Sequence, residues 1–148
     1  MAQINAYLNF NGDCEAAFNF YKSVFGGDFA YVGRYKDMPP EEGAQTSETD
    51  GEKIMHISLP ISRETALMGS DIGGEWAQHT IVGNNIQLSI NAESEGEARR
   101  IFEGLSAGGR VNMPLQKTFW GARFGMFTDK FGINWMVNYD FTEQQQEQ

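Results

Sequence analysis

Two imidazoles, His56 and His79, are the only side chains of this sequence that ordinarily change charge near neutral pH. His56 stands in an alternating run, Lys53-Ile-Met-His-Ile-Ser-Leu-Pro-Ile61, that reads as a strand with one apolar face. It is either a hydrogen-bonded, half-buried histidine or a general acid/base. His79 lies in a loop containing Gly and Asn and reads as exposed. With no third imidazole or placed carboxylate, a two-histidine facial metal triad is not supported. Asp71 closes the segment Leu67-Met-Gly-Ser-Asp71 and either caps a turn or contacts a ligand. Arg123, in Trp120-Gly-Ala-Arg-Phe-Gly125, either grips an anion with its guanidinium fork or makes a surface salt bridge. Trp120, ahead of a Gly-rich turn, suits a cavity or an interface, whereas Trp135 reads as core. Cys14 is the single cysteine, so neither an intrachain disulfide nor a cysteine-based zinc site can form.

The elements that must position these groups occur twice. An offset of 82 residues matches Ile4 with Ile86, Leu8 with Ile90, Ala16 with Ala98, Phe20 with Phe102 and Gly26-Gly27 with Gly108-Gly109, without a gap. Each copy begins with an alternating strand. Residues 3–10 set Ile4, Ala6, Leu8 and Phe10 against Gln3, Asn5, Tyr7 and Asn9; residues 85–90 set Ile86, Leu88 and Ile90 against Asn85, Gln87 and Ser89. A helix follows in each copy. Asp13 is the expected N-cap of the first, over a stripe of Ala17, Phe20 or Tyr21, and Val24. Ser94-x-x-Glu97 is a capping box for the second, whose stripe is Ala98, Ile101, Phe102 and Leu105. Gly26 and Gly108 stand where left-handed C-terminal caps belong. Three further strands are expected per copy: 28–35, 53–61 and 65–70, then 110–117, 121–128 and 133–139. Each helix should cover the apolar face of its own sheet and leave the polar face to line something else.

The 148 residues suffice for one domain with a real core, and the whole chain is expected to form one, with modules at about 1–75 and 84–140 and a polar tail from 141. Net charge is −9. Residues 37–52 hold six acids and no base, together with Pro39-Pro40, and read as a long solvated loop: a source of solubility, or a lid that attracts cations. Such a surface makes nucleic acid a poor partner. No apolar run approaches the roughly 20 residues of a membrane span. The lone cysteine and the lack of a charged-then-apolar leader fit a reducing cytoplasm.

Three segments carry a resemblance: Tyr7–Gly27, with Asn-Gly-Asp-Cys-Glu-Ala-Ala at its centre; Leu67–Asp71; and Phe119–Asn138, with Trp120-Gly121 and Trp135. They resemble the PhnB-like branch of the glyoxalase/bleomycin-resistance/dioxygenase (vicinal oxygen chelate) superfamily, a group also described as 3-demethylubiquinone-9 3-methyltransferase-like. The resemblance implies an α+β fold in which two β-α-β-β-β modules form a half-open barrel, and a homodimer. It places Tyr7, Asn9, Gln87, Ser89, Asn134 and Asn138 on the cavity face. Their amides and hydroxyls suit a small polar ligand, or a simply wet interior. Metal-dependent relatives take His, Gln or Glu ligands from the first and last strands of each module. Their closing pattern, Asp-Pro-x-Gly-x-x-x-Glu, aligns with Asp129-Lys-Phe-Gly-Ile-Asn-Trp-Met136 and sets Met136 at the glutamate. The matching place in the first module is Met68. The usual histidine falls on Asn85, and the fourth position on Gln3, or on Asn5 if the apolar residues anchor the strand.

Thioethers and amides are poor ligands for Mg, Mn, Fe(II) or Zn, which argues against a glyoxalase-type metal centre and implies no cofactor. Methyl transfer on a nucleotide-like cofactor is discounted too, because the Gly-Gly pairs follow helices instead of opening them. Neither a phosphate-binding Gly-rich loop nor a G-x-S-x-G elbow occurs. The leading expectation is metal-free binding of a small polar molecule. A metal-dependent lyase, transferase or dioxygenase using His56 is one competitor. The other is a sequestering protein of the bleomycin-resistance kind, holding a cationic drug.

Overall fold

Alternation and helical stripes sort the chain as expected. The structure, a computed structural model, describes residues 2–37, 51–73 and 79–141, in two compact units, Met1–Ile81 and Val82–Gln148. In the first unit β1 (Ala6–Phe10), α1 (Cys14–Phe25), β2 (Tyr31–Arg34), β3 (Ile54–Pro60) and β4 (Ala66–Asp71) give a sheet in the order β1-β4-β3-β2. β1 runs parallel to β4 and the other pairs are antiparallel. α1 buries Cys14, Ala17, Phe18, Tyr21 and Val24 on the sheet face that carries Phe10, Ile57, Leu59 and Leu67. Each fully buried large apolar side chain contributes roughly 1.5–3 kcal/mol. Gly69 makes the close approach possible, since a methyl group there would stand 2.7 Å from both the Leu8 carbonyl oxygen and the Phe18 ring.

The second unit repeats the plan with β5 (Leu88–Asn91), α2 (Glu95–Ser106), β6 (Arg110–Lys117), β7 (Ala122–Thr128) and β8 (Asn134–Asp140), ordered β5-β8-β7-β6 with β5 parallel to β8. α2 buries Ala98, Ile101, Phe102 and Leu105, and Phe102 meets Phe127 edge to face at 5.0 Å. The fold is therefore α+β, two β-α-β-β-β modules, the described strands of each forming a four-stranded sheet. β1 and β5 are shorter than alternation suggests. Ladder pairing begins at Ala6 with Leu67 and at Leu88 with Trp135, and Ile4 and Ile86 ahead of them are exposed. Most of the acidic 37–52 segment and all but the first residue of the polar tail lie outside the described residues. No described helix is long and apolar enough to cross a membrane.

The 82-residue repeat holds in the strands and slips by one in the helices. Tyr7 pairs with Met68 as Ser89 pairs with Met136, and Asn9 with Ser70 as Asn91 with Asn138. The buried residues Ala17, Tyr21 and Val24, however, correspond to Ala98, Phe102 and Leu105, and Ala16 is exposed. The expected gap-free match fails in the helices because seven residues separate Asn9 from Ala17 and six separate its ladder counterpart Asn91 from Ala98; Gly12, at φ 101°, lies in the longer stretch. An extra residue at the end of α2 restores the offset: Gly26 directly caps α1, whereas Ala107 stands between α2 and Gly108. Both glycines sit at positive φ, 81° and 77°, but Gly26, with ψ −169°, lies outside the left-handed helical region expected of a C-terminal cap.

The N-caps also differ. Ser94 accepts the Glu97 N–H at 3.0 Å and the Glu97 carboxylate accepts the Glu93 N–H at 3.1 Å, a reciprocal cap. Asp13 makes no side-chain cap bond. Its place is taken by Asp71 from β4, whose Oδ1 accepts the N–H groups of Gly12 and Cys14 at 2.9 and 3.0 Å.

Candidate functional site

In each unit the helix covers one sheet face, and cross-strand register defines what the other face carries, because directly paired residues project to the same side. In the first unit one row runs Tyr7, Met68, Ser58, Tyr31 across β1, β4, β3 and β2. His56, two residues before Ser58 on β3, shares this face and is half-buried. Its Nδ1 lies 3.0 Å from the Tyr7 hydroxyl. The Tyr7 ring stacks on the imidazole at 5.6 Å and 25°, and Tyr31 flanks it at 5.6 Å and 43°. Gly33, paired with His56, makes room for this: a methyl group there would stand 2.6 Å from the Tyr31 hydroxyl. The next row sets Asn9 beside Ser70, whose hydroxyl donates to the Asn9 amide oxygen at 3.3 Å.

In the second unit the equivalent row runs Ser89, Met136, Met126, Met113, three thioethers on neighbouring strands. Asn91, Asn138, Phe124 and Gln116 form the row beside it. Trp120, 55% exposed in the turn between β6 and β7, meets Phe124 at 6.1 Å and Phe119 at 5.0 Å. Asn134 accepts the Thr128 hydroxyl at 2.8 Å and donates to the Gly83 carbonyl at 3.1 Å. Gln87 and Asn85 are exposed and precede β5.

The charged candidates lie elsewhere. Arg123 pairs with Tyr139 in register, on the helix side of its sheet, and its Nε donates to Glu95 at 2.6 Å. Half-exposed on both sides, this is the salt bridge anticipated as the alternative to an anion anchor. Asp71 is 1% exposed and spends both oxygens on backbone: besides Gly12 and Cys14, its Oδ2 accepts the Ile54 N–H at 2.9 Å. That geometry is the turn cap. The Tyr35 hydroxyl adds a bond to the Asp71 carbonyl at 2.7 Å, and burial holds the Tyr35 phenol above its usual range. Burial, with the nearby Asp71 and Glu15 carboxylates, likewise pushes the Cys14 thiol far up, so it stays protonated and unreactive. Trp135 is buried and donates from its indole N–H to Asp129 at 2.9 Å. His79 is exposed.

Arg34 grips Glu15 through two bonds, at 3.2 and 2.5 Å, and the Glu52 carbonyl at 2.7 Å. The guanidinium holds the Glu15 carboxyl below its usual range. No sequence motif marks Arg34 or Met113, whereas alternation within 28–35, 53–61 and 121–128 carries a signal for Tyr31, Ser58 and Met126.

At the metal-ligand positions of the expected fold the donor chemistry does not fit a hard divalent ion. Met68 stands opposite Tyr7 and Met136 opposite Ser89, while Gln3 and Asn85 are exposed ahead of their strands. Among the described residues, no three His, Cys, Asp or Glu side chains cluster closely enough to hold an ion. Imidazole and carboxylate are what such ions take, and Gln3, Met68, Asn85 and Met136 supply neither.

Comparison with known proteins agrees with this fold. Residues 3–137 match the model of the Glyoxalase/Bleomycin resistance protein/Dioxygenase superfamily. The crystal structure of protein PA1353 from Pseudomonas aeruginosa is 39% identical, with a TM-score of 0.79 over 95% of this chain and 98% of that one. Protein YjdN of Escherichia coli strain K12 is 28% identical over 144 residues, 91% of this chain and 93% of its own. A PhnB protein of Bacillus cereus, which carries a 3-demethylubiquinone-9 3-methyltransferase name, shares the fold at 23% identity and a TM-score of 0.71, over 93% of this chain and 99% of its own. With nine-tenths of its length matched by the family's model and the same strand pairing within each of its two β-α-β-β-β units, the chain belongs to the Glyoxalase/Bleomycin resistance protein/Dioxygenase superfamily.

Proposed function

We propose that this chain binds a small polar organic molecule on the helix-free sheet faces, without a divalent metal ion. One observation carries the reading. The paired positions at the heart of each face, Tyr7 with Met68 and Ser89 with Met136, offer hydroxyls and thioethers and no carboxylate or imidazole. Hydroxyls, amides and the His56 imidazole supply directional hydrogen bonds, and thioethers supply adaptable apolar surface. Chemistry beyond binding would fall to His56, the imidazole that shares the first of these faces. A homodimer belongs to the same proposal and is checked by light scattering.

The test is metal analysis of protein purified without chelator, followed by a thermal-shift screen of small polar molecules with and without EDTA. The expected result is far less than one divalent ion per chain and ligand-induced stabilisation that EDTA leaves unchanged. A tightly held ion near one per chain, or stabilisation abolished by chelation, refutes the proposal. Stabilisation confined to bulky cations, with no response to neutral or acidic molecules, would instead favour sequestration of the drug-resistance kind.

A further inference from the structure

The hydrogen bond between Tyr7 and His56 limits what the imidazole can offer a ligand. At 3.0 Å, either the phenol donates to a bare Nδ1 or a protonated Nδ1 donates to the phenol oxygen. A phenol, with a pKa of about 10, is a far better donor than a neutral imidazole N–H. An imidazole nitrogen, whose conjugate acid has a pKa of about 6.5, is a far better acceptor than a phenol oxygen. The bond that joins the better donor to the better acceptor is Tyr7 O–H to Nδ1. A neutral imidazole carries one proton, so that proton then sits on Nε2. Among the described residues Nε2 has no hydrogen-bond partner. Tyr7 stacks on the ring, and Tyr31, lying over Gly33, flanks it.

We infer that Tyr7 is a positioning residue that fixes His56 as the Nε2–H tautomer, so that this face recognises small organic molecules carrying a carbonyl or carboxylate oxygen. The inference rests on the binding role proposed above and adds the chemical class. The N–H supplies the donor, and the tyrosine rings with Met68 supply apolar surface for the carbon body of the molecule. A molecule presenting only donors, such as an alkylammonium ion, finds an N–H where it needs an acceptor.

The test is long-range proton–nitrogen NMR on labelled protein at a pH where the imidazole is neutral. The chain has two histidines, so His79→Gln assigns the signals. Protonated Nε2 and bare Nδ1 are expected in the unaltered protein, with mixed tautomers in Tyr7→Phe, which keeps the ring and loses the hydroxyl. A protonated Nδ1, or a tautomer that ignores Tyr7→Phe, overturns the positioning role. A second arm titrates benzoate against benzylamine. Benzoate is expected to move the His56 Nε2–H signal saturably, benzylamine to leave it in place, and Tyr7→Phe to bind benzoate roughly fivefold more weakly. If benzoate binds without moving His56, or benzylamine moves it equally, the acceptor class is wrong while the binding proposal stands. If no molecule in the thermal-shift screen binds, the binding proposal itself has failed.

Discussion

Replacing Asp71 tests whether its carboxylate is a structural cap or a ligand contact. The side chain is 1% exposed and accepts three backbone N–H groups, from Gly12, Cys14 and Ile54, at 2.9, 3.0 and 2.9 Å. These tie together the β1–α1 turn, the first turn of α1 and the start of β3. Asp71→Ala strands all three donors. Cys14 and Ile54 are buried, so each loses a partner that water cannot replace, at about 1–3 kcal/mol apiece. Gly12 is exposed and recovers most of its loss from solvent. The expected cost is about 3–5 kcal/mol, a large share of the 5–15 kcal/mol that stabilises a typical domain. Asp71→Asn keeps one oxygen but turns an NH2 toward a backbone N–H, and should cost about 2 kcal/mol. Urea unfolding followed by circular dichroism, extrapolated linearly to water, measures both. A loss below about 1 kcal/mol for Asp71→Ala would refute the cap, most plainly if ligand binding fell at the same time.

Gly33→Ala should barely change stability, since the atoms it meets first belong to a Tyr31 side chain that is half exposed and can turn outward. It should nevertheless move the His56 ring-proton shifts, because Tyr31 leaves the imidazole; unchanged shifts would mean that the Tyr31–His56 contact does not depend on the glycine. In acid, the Glu15–Arg34 pair sets a second expectation. The Glu15 carboxyl is lower in the fold than in the unfolded chain, so its contribution is full above the unfolded carboxyl pKa and is lost as pH falls through the folded value. Glu15 is half exposed, which limits the effect to about 1 kcal/mol or less; Glu15→Gln should flatten this part of a urea-midpoint profile between pH 6 and 3. In alkali the sign reverses. The Cys14 thiol and the Tyr35 phenol are raised in the fold, so stability is level below about pH 9 and falls above it as the unfolded chain ionises first. Cys14→Ala should delay the onset of that fall, and a profile identical to the unaltered protein's would refute the burial argument.

How much of this was legible from residues alone follows from which facts are local. Alternation and helical periodicity are local, so the eight strands, two helices and their buried stripes were readable, including the choice of face for Tyr7, Asn9, Ser89 and Met136. The neighbour across a ladder is not local. Nothing in Ala122–Thr128 announces that Met126 lies between Met136 and Met113, or in Tyr31–Arg34 that Tyr31 reaches His56 because Gly33 leaves space. Asp71 illustrates the same limit. Its three donors lie 59, 57 and 17 residues away, so either a cap or a ligand contact was consistent with its place at the end of a strand. Arg123 was undecided for a related reason, since its partner Glu95 stands at the start of a helix 28 residues earlier.

The one-residue slip between strands and helices shows how the two units keep one architecture with different fittings. A residue added ahead of a helix turns every later position by about 100° about the axis, enough to carry a buried stripe out of contact with its sheet. Applied rigidly, the 82-residue offset would put Ala16 and Phe20 where Ala98 and Phe102 are buried, yet Ala16 is exposed and Tyr21, beside Phe20, is fully buried. The sheet face decides the phase of the helix, and the connectors absorb the difference, at Gly12 before α1 and at Ala107 after α2. The extra residue between strand and helix in the first unit goes with different capping chemistry. With Gly12 in the turn, the N–H groups of Gly12 and Cys14 both converge on one carboxylate oxygen, and a buried Asp71 replaces the local Ser94–Glu97 box. The strand ladders tolerate no such adjustment, because a slip of one would send Tyr7 and Ser89 to the helix side. That is why the pairing of Tyr7 with Met68 and of Ser89 with Met136 is the firm basis for judging the donor chemistry of each face, and the helix correspondence is not.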